Sequence, residues 1–446
     1  MTIFAAAMSS DNKKFLSLAV PLIISSISTP LLGVVDTAVM GRFPQAAYIG
    51  GVAIATLIFN TMYWLLGFLR ISTSGFSAQA SGTGDKKTIT SALLRPMAIA
   101  FILGVLLVVL QYPIKIAAFM LVTPSDSVRT LAETYYDIRI WGAPFVLIGY
   151  VMNGWLAGMS KVKLSLCLQI FMNILNILLV LLFVRIGGMA ADGVATATLI
   201  SEIAATVLGF VLIYHIKEVS ITGISLAIFC NIAAFTAMMK VNRDLFIRTV
   251  CLLSVYNLMA IYGMRYGEVV LAANAVLMQI HFVMANLLGG IGNTATILVG
   301  KAIGGKDGKL YKSTVQLTAF WGWVTAFLLF GGVCLFKNAV IGLFTNLSEV
   351  KQLADMYIYW VGLFPLSAVW GLQLYGIFAG ATLSTPIRNS MLYSLLGCLI
   401  VFLLGEPFLG NHGIWLAFTV FSLGRSIFLW IYLPGLNKKV AVIAEK

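Results

Sequence analysis

Long apolar runs recur along this chain at nearly regular intervals, and they constrain its fold more than any other feature. A hydrocarbon core about 30 Å thick is crossed by a helix of about 20 apolar residues. Apolar residues make up 60% of the sequence and charged residues 10%, whereas soluble domains carry about 25% charged residues. The sequence therefore predicts an all-α membrane protein, because backbone groups in lipid must be paired within the chain. The twelve predicted transmembrane helices cover residues 15–41, 48–78, 92–112, 130–158, 163–185, 192–214, 243–265, 268–300, 314–336, 352–380, 387–405 and 412–434.

The basic residues lie mostly between these apolar runs. If the N-terminus is cytoplasmic, the inner loops hold far more Lys and Arg than the outer loops. The positive-inside rule then places both termini in the cytoplasm. The same rule accounts for the net charge of +13, so no nucleic-acid partner is inferred.

Motifs for metal binding and for ATP binding are not formed. The five cysteines are far apart and contain no CxxC pair, and the three histidines are scattered, so no metal site is predicted. The stretch 300–306 fits the first part of a phosphate-binding loop, but Asp307 follows where Ser or Thr is required. We therefore expect a protein that is not an enzyme, has no cofactor and uses an ion gradient.

The two halves of the chain resemble each other when the sequence is shifted by one constant offset, the one that places Gly67 on Gly289. The matches include loop and glycine positions, which agree by chance less readily than apolar ones. The same offset pairs Gly82 with Gly304, Asp85 with Asp307, Gly154 with Gly376 and Gly158 with Gly380. A shift of six helices keeps their orientation, so the pattern predicts two six-helix lobes related by a parallel pseudo-twofold repeat. Such repeats are typical of transporters that alternate access, and a duplicated scaffold without transport is the alternative.

The predicted domains follow from this repeat. The N-lobe with helices 1–6 covers residues 1–214, and the C-lobe with helices 7–12 covers 242–434. Between them lies a cytoplasmic linker, 215–241, and a cytoplasmic tail covers 435–446.

Asp36 lies deep in the first predicted helix. A charge at such a depth costs at least about 2.5–3.5 kcal/mol on insertion scales, so it usually faces a cavity or a partner. Burial favours the neutral form of a carboxyl group, which makes Asp36 a candidate for binding and releasing protons. The alternative is an aspartate near the outer interface that caps a helix or pairs with Arg42. Pro21 and Pro30 of the same helix favour kinks, so this helix is a candidate gate.

Two further predicted helices carry polar side chains. Asn173 and Asn176 share one face of the fifth helix, and Thr198 and Glu202 lie in the sixth. Buried amides and hydroxyls need partners, and Asp36 is a candidate partner. Hydrogen bonding between helices without a functional role is the alternative.

The fourth predicted helix offers candidate substrate-binding residues. Tyr150 and Trp155 have aromatic faces that attract organic cations, Met152 can adapt to varied shapes, and Asn153 adds an amide. Ordinary helix packing is the alternative for each. No role is assigned to the arginines in or near apolar runs, which are Arg70, Arg139, Arg248 and Arg425.

Several stretches resemble the multidrug and toxic compound extrusion (MATE) family. Residues 30–41, PLLGVVDTAVMG, are similar to the signature of its first helix. Residues 68–75, 173–177, 193–198 and 411–417 resemble its DNA-damage-inducible F (DinF) branch. The resemblance implies two lobes around a central cleft and the export of small organic cations or lipophilic drugs in exchange for protons or sodium. It also implies a bacterial inner (plasma) membrane location, and we expect a monomer whose other contacts are membrane lipid.

The resemblance places the ion-coupling site in the N-lobe. Asp36 matches the family's essential first-helix acid, Asn176 its fifth-helix amide and Thr198 its sixth-helix hydroxyl, while Pro21 matches the proline at which the first helix bends. Close relatives carry a second acid four residues after that amide, where this chain has Val180. Because sodium needs several oxygen ligands, this departure favours proton coupling over sodium coupling.

Two other functions stay open from the sequence. A flippase for a lipid-linked precursor would need a basic cleft, to which Arg70, Arg139 and Arg248 would have to converge. A membrane-embedded enzyme would need a cluster of His, Asp, Glu or Cys at one depth, and the sequence shows no such grouping.

Overall fold

A computed structural model describes residues 10–40, 46–122, 124–219 and 231–445, with side chains described except at 10, 27–40, 46 and 444. All regular structure in these ranges is helical. A 3-10 turn, Ile140–Gly142, joins the helix Asp126–Arg139 to the helix Ala143–Gly158, and the helix Val162–Val180 continues into a π-helical turn, Leu181–Ile186. The helices are α1 Ser10–Met40, α2 Ala46–Leu65, α3 Phe68–Thr83, α4 Lys86–Val109, α5 Gln111–Val122, α6 Asp126–Arg139, α7 Ala143–Gly158, α8 Val162–Val180, α9 Ala191–Tyr214, α10 Ile232–Met264, α11 Glu268–Gly304, α12 Gly308–Gly342, α13 Ser348–Gly380, α14 Ser384–Leu409 and α15 Asn411–Glu445.

The prediction of twelve transmembrane helices is confirmed. Eleven helical stretches of the described residues are long and apolar enough to cross a bilayer, two of them formed by α2 with α3 and by α6 with α7. The 31-residue α1 supplies the twelfth. The predicted span 192–214 is observed as Ala191–Tyr214, and 163–185 as Val162–Ile186. The apolar α5 is an additional 12-residue helix that the sequence did not predict.

Large apolar side chains lie on both the inside and the outside of the helix packing. Trp155 and Trp415 are completely buried, whereas Leu328, Leu404 and Ile431 are exposed in the middle of their helices. Lipid tails are as apolar as leucine, so such exposure carries no penalty in a bilayer. Packing among the helices therefore depends on close contact between side chains rather than on removal of water.

The backbone reproduces the internal repeat. Asp85 caps α4 by accepting from the Thr88 amide at 2.9 Å, and Asp307 caps α12 by accepting from the Leu310 amide at 2.9 Å. The offset that pairs the two aspartates also pairs Thr88 with Leu310. Left-handed backbone repeats as well, since Ser160 has a φ of 60° and its counterpart Thr382 a φ of 54°.

One close approach of backbones also repeats. A Cβ on Gly154 would collide with the carbonyl oxygen of Arg70, and a Cβ on Gly376 would collide with that of Gly292. Glycine at both positions therefore lets α7 pack directly on α3, and α13 on α11. The prediction of a duplicated six-helix architecture is confirmed at the level of backbone detail.

The described residues form two compact units. The first, called the N-unit, is Ile27–Thr236, and the second, called the C-unit, is Ala237–Lys446 with the N-terminal segment that ends at Ser26. One division thus lies within α1, and the other precedes most of α10, which begins at Ile232 inside the predicted linker. The start of α1 is held in the C-unit by Asn12, whose side-chain oxygen accepts from Trp321 Nε1 at 2.9 Å.

Candidate functional site

Asn176 of α8 and Thr198 of α9 meet inside the N-unit. Asn176 is 1% exposed, and Thr198 is buried as well. Asn176 Nδ2 donates to Thr198 Oγ1 at 3.0 Å, and the Thr198 hydroxyl donates to the carbonyl oxygen of Val194 at 2.9 Å. The structure therefore brings together two of the residues singled out from the sequence.

These bonds determine which way the Asn176 amide points. A threonine hydroxyl has one hydrogen to donate, and the Val194 carbonyl receives it, so Thr198 must accept from Asn176. The amide oxygen Asn176 Oδ1 is then left buried without a hydrogen-bond partner among the described atoms. Because a buried acceptor without a donor is costly, this oxygen marks a position for a hydrogen-bond donor or a cation.

Val180 lies one helical turn after Asn176 and is completely buried. Residues four apart share one face of a helix, so a carboxylate here would have faced the same side as the Asn176 amide. The isopropyl side chain of Val180 therefore supplies no charged oxygen ligand on that side of α8. The position at which this sequence departs from close relatives thus lies on the helix face that carries the unpartnered Asn176 amide oxygen.

A buried ion pair lies one turn further along α9. Glu202 Oε1 lies 3.3 Å from Arg139 Nη2 of α6, and each residue is 8% exposed. The Arg139 guanidinium lies 4.9 Å from the centroid of the Phe59 ring and donates to the Tyr135 hydroxyl at 3.1 Å. The pair neutralises two charges inside the N-unit and ties α6 to α9.

Neither member of this ion pair has a role that could be assigned from the sequence. Glu202 follows Thr198 by four residues and so shares its helix face, and Arg139 is an opposite charge at the edge of a neighbouring apolar run. Those two signals mark each residue as a charge in need of an opposite charge, but they do not identify the two as partners. Glu202 Oε2 has no hydrogen-bond partner among the described atoms.

The MatE family model matches residues 21–182 and 245–405 of the chain. The two matched stretches begin at nearly equivalent positions of the repeat, since its offset places Pro21 on Arg243. DNA damage-inducible protein F of Escherichia coli (strain K12) is 35% identical over 95% of this chain and 92% of its own length. The chain belongs to the MatE family. MatE proteins are membrane transporters, so the chain is an integral membrane transporter and not an enzyme.

Two more distant similarities extend over nearly the whole chain. The probable multidrug resistance protein NorM of Bacillus subtilis (strain 168) is 20% identical over 96% of both proteins. The crystal structure of a MATE protein in the bent conformation superposes with a TM-score of 0.86 at 17% identity, covering all of both chains. That match confirms the MatE fold.

The first-helix residues expected in a MatE site are only partly described. Asp36 and Pro30 lie in α1, but their side chains are outside the described residues. Pro21 is half-buried in the C-unit portion of α1, which is helical from Ser10 to Met40. Asn173 is half-buried on α8, one turn before Asn176.

The four candidate substrate-binding residues lie on α7. Asn153 Nδ2 donates to the Gly149 carbonyl at 2.9 Å, and its Oδ1 accepts from the Ser165 hydroxyl at 2.7 Å, so its amide links α7 to α8. Trp155 is completely buried and donates to the Ile89 carbonyl at 3.3 Å. Met152 is buried against Gly209, and the half-buried Tyr150 interacts electrostatically with Arg139 and Glu202.

The intramembrane arginines occupy different environments. Arg70 is exposed on α3 and Arg139 is paired with Glu202. Arg248 lies in the C-unit, where it is a neighbour of Arg425. Within the N-unit, the charge of Arg139 is therefore not available to a basic cleft.

Proposed function

We propose that this MatE protein is a proton-coupled multidrug efflux antiporter of the bacterial inner membrane, with both termini cytoplasmic. Its cargo would be small organic cations or lipophilic drugs, and it would act as a monomer built from the predicted lobes 1–214 and 242–434. The observation that carries this proposal is the buried amide oxygen of Asn176, which has no partner in the part of the chain whose side chains are described.

An unpaired amide oxygen distinguishes the two protonation states of a nearby carboxyl group. A protonated carboxyl donates a hydrogen bond to it, whereas a carboxylate can only accept. If Asp36 is that carboxyl, as the family resemblance implies, protonation forms a bond to Asn176 that the ionised form cannot make. A proton can shift a conformational equilibrium only through such a difference in affinity between two states.

Sodium is the competing ion. An amide oxygen and a hydroxyl can ligate sodium, but Val180 supplies neither charge nor an oxygen atom, and one of the two lone pairs of the Thr198 hydroxyl is already engaged by Asn176. One proton needs fewer ligands than one sodium ion. This arrangement therefore favours the proton.

The proposed moving part is α1. Pro21 removes one backbone hydrogen bond from the helix, and the division between the two compact units falls shortly afterwards, following Ser26. Protonation of Asp36 would rearrange its bonds to Asn176 and Thr198. The helix α1 would then bend near Pro21, with a second kink at Pro30, and the substrate would be expelled outward. Release of the proton to the cytoplasm would reset the site.

The energy available is sufficient for efflux. Exchange of one proton for one monovalent cation moves no net charge, so the pH gradient alone drives it. For an uncharged drug, moving the charge of one proton through a potential of about 100 mV is worth about 2.3 kcal/mol. At about 1.4 kcal/mol per tenfold, that sustains roughly a fiftyfold gradient of substrate.

The test is efflux of a fluorescent organic cation from proteoliposomes, with a pH gradient and a sodium gradient imposed separately. The pH gradient is expected to drive efflux by the wild type and the sodium gradient is not. Asp36→Asn is expected to abolish pH-driven efflux, while Asp137→Asn, which changes an exposed aspartate paired with Lys115, preserves it. Undiminished efflux by Asp36→Asn, or equal driving by sodium alone, would contradict the proposal.

A second experiment reverses the departure at position 180. Val180→Asp places a carboxylate on the face of α8 that carries Asn176, and a sodium gradient is then expected to contribute to efflux. Efflux by this variant that stays independent of sodium would show that the missing acid does not determine the choice of ion.

A further inference from the structure

Two arginines of the C-unit adjoin the same stretch of α13 among apolar helices. Arg425 of α15 is 6% exposed, and Arg248 of α10 is half-buried with its Nε enclosed and without a hydrogen-bond partner among the described atoms. A Cβ on Gly371 of α13 would lie 3.3 Å from the backbone of Arg425, and Tyr375, one turn further along α13, packs on Arg248, so both arginines adjoin the same part of this helix. Aromatic rings flank both, with Tyr375 centred 4.2 Å from Arg248 Cζ and Phe421 5.6 Å from Arg425 Cζ.

Neither arginine has an acidic partner among the described residues. Asp244, one turn before Arg248, is held by Arg388 at 3.1 Å and by Arg243 at 3.1 Å. The other paired carboxylates are also occupied elsewhere, Asp355 by Lys337 and Glu406 by the Tyr266 hydroxyl. The remaining described acids of this unit lie at helix ends, namely Asp11, Glu268, Asp307, Glu349 and Glu445.

Two neighbouring buried cations without a counter-ion are unfavourable. Removing a charge from water is costly unless an opposite charge or hydrogen bonds compensate it, and mutual repulsion adds to that cost. An ionisable residue inside a membrane is therefore a candidate functional site. The two positive charges are compensated only when a ligand supplies negative charge.

Further polar groups belong to the same cluster. The Tyr256 hydroxyl lies 3.2 Å from His281 Nε2, and Tyr256 interacts electrostatically with both arginines. His281 is completely enclosed, with its Nδ1 unpartnered among the described atoms. Rings of Phe364 and Phe418 pack on the imidazole with centroids at 4.1 Å and 4.8 Å, so an apolar aromatic wall adjoins the charged groups.

The duplicated scaffold does not account for the pair. At the offset of the repeat, Arg425 corresponds to Ile203 and Arg248 to Ser26. At these two positions of the repeat, only the second half of the chain carries arginine.

We propose that Arg248 and Arg425 form a binding site for an oxyanion group, a phosphate or a carboxylate, carried by an amphipathic molecule. The guanidinium fork matches the geometry of carboxylate and phosphate oxygens, and the aromatic wall accommodates an apolar body. The site extends the ligands of this transporter from cations to molecules with an acidic group. It does not depend on proton coupling at Asp36.

The first test measures binding of 1-naphthyl phosphate and of uncharged 1-naphthol to the purified full-length protein in detergent. The wild type is expected to bind the phosphate at least about tenfold more tightly than the alcohol. Arg425→Gln and Arg248→Gln are each expected to weaken phosphate binding by about tenfold or more, because a charge-assisted bidentate contact is lost. Arg243→Gln is the matched control, since this exposed arginine lies on the same helix and Asp244 keeps Arg388.

The second measurement separates a binding role from a structural one. The ligand-free Arg425→Gln protein is expected to melt at the wild-type temperature or higher, because an unpaired charge has been removed. Equal affinity for phosphate and alcohol, or unchanged phosphate binding in both variants, would overturn the proposal. A lower melting temperature in Arg425→Gln with unchanged binding would overturn it too.

The source of the oxyanion is resolved in nanodiscs. If it is a lipid headgroup, native mass spectrometry will detect phosphatidylglycerol retained by the wild type and lost from Arg425→Gln, and phosphatidylglycerol discs will compete with 1-naphthyl phosphate. If it is a free molecule, binding will be equal in phosphatidylglycerol and phosphatidylcholine discs. Asp36→Asn is expected to keep this binding, so failure of proton coupling and failure of the oxyanion site give different results.

Discussion

The N-unit and the C-unit share backbone details but carry opposite polar chemistry. Asn176, Thr198 and Glu202 of the N-unit correspond, at the offset of the repeat, to Cys398, Val420 and Gly424. Conversely, Arg425 of the C-unit corresponds to Ile203. The interior of one unit holds an amide, a hydroxyl and a neutralised ion pair, whereas the interior of the other holds two uncompensated cations.

This difference shows which parts of a duplicated transporter are constrained. Helix caps, left-handed turns and contacts between backbones recur, since all of them set the path of the chain. The interior amide and charged groups named above do not recur, because each must be compensated by specific partners. Chemistry particular to this protein should therefore be sought where the repeat is broken.

The largest expected effect comes from breaking the N-unit ion pair. Glu202→Gln leaves Arg139 buried without its counter-ion, and loss of one partner of a buried pair costs about 3–5 kcal/mol. Arg425→Gln in the C-unit is expected to cost nothing, because no pair exists there to be broken. Chemical unfolding in detergent measures both free energies.

The ion-pair prediction has an internal control. Replacing both partners, as in Glu202→Leu with Arg139→Met, removes both charges, and is expected to recover most of the lost stability. If Glu202→Gln and Arg425→Gln destabilise the protein equally, the contrast between the two units is wrong.

A smaller effect is expected at the Asn176–Thr198 bond. Thr198→Val leaves Asn176 Nδ2 buried without an acceptor, at a cost of about 1–3 kcal/mol, and is expected to reduce pH-driven efflux. Val420→Thr puts the same hydroxyl at the equivalent position of the C-unit and is expected to leave the pH dependence of efflux unchanged. An equal loss of pH-driven efflux in Thr198→Val and Val420→Thr would mean that the hydroxyl of Thr198 has no particular role in proton coupling.

The smallest effect is expected at the helix caps, where the two units are alike. Asp85→Ala and Asp307→Ala should each lower the melting temperature slightly, and Asp85→Ala by more, because Asp85 accepts from Lys87 and Thr88 whereas Asp307 accepts from the Leu310 amide. Hydrogen bonds from the Thr88 hydroxyl and amide, with that of Lys87, lower the pKa of Asp85. The Asp85 cap should therefore stabilise α4 fully above about pH 4, the ordinary range of an aspartate, and be lost as the pH falls through the lowered pKa. An unchanged melting temperature in either variant would show that the caps do not act alike in the two units.

The course of the helices could be predicted because the bilayer thickness sets their length. The predicted 352–380 and the observed Ser348–Gly380 differ only at the first turn. The start of α10 at Ile232 could not be predicted, because the polar turns containing Lys240 and Arg243 interrupt the apolar pattern. The repeat was visible because glycines at close contacts cannot be replaced without moving a backbone.

The partners of buried polar groups could not be predicted. Arg139 and Glu202 are far apart in sequence, and Arg248 and Arg425 belong to α10 and α15, so no local pattern links either pair. Asn153 was predicted to bind substrate, but its amide is bonded to Ser165. The sequence does not distinguish an amide that is free to bind substrate from one that is bonded within the protein. Such partners follow from packing geometry, which hydropathy does not encode.

The central claim is that protonated Asp36 donates to Asn176 Oδ1, and infrared difference spectroscopy between high and low pH measures this most directly. The wild type is predicted to show a carboxyl carbonyl band that is absent in Asp36→Asn, shifted in Asn176→Leu and retained in Glu202→Gln. A band that persists unchanged in Asp36→Asn, or that vanishes only in Glu202→Gln, would contradict the account and place the proton on another residue.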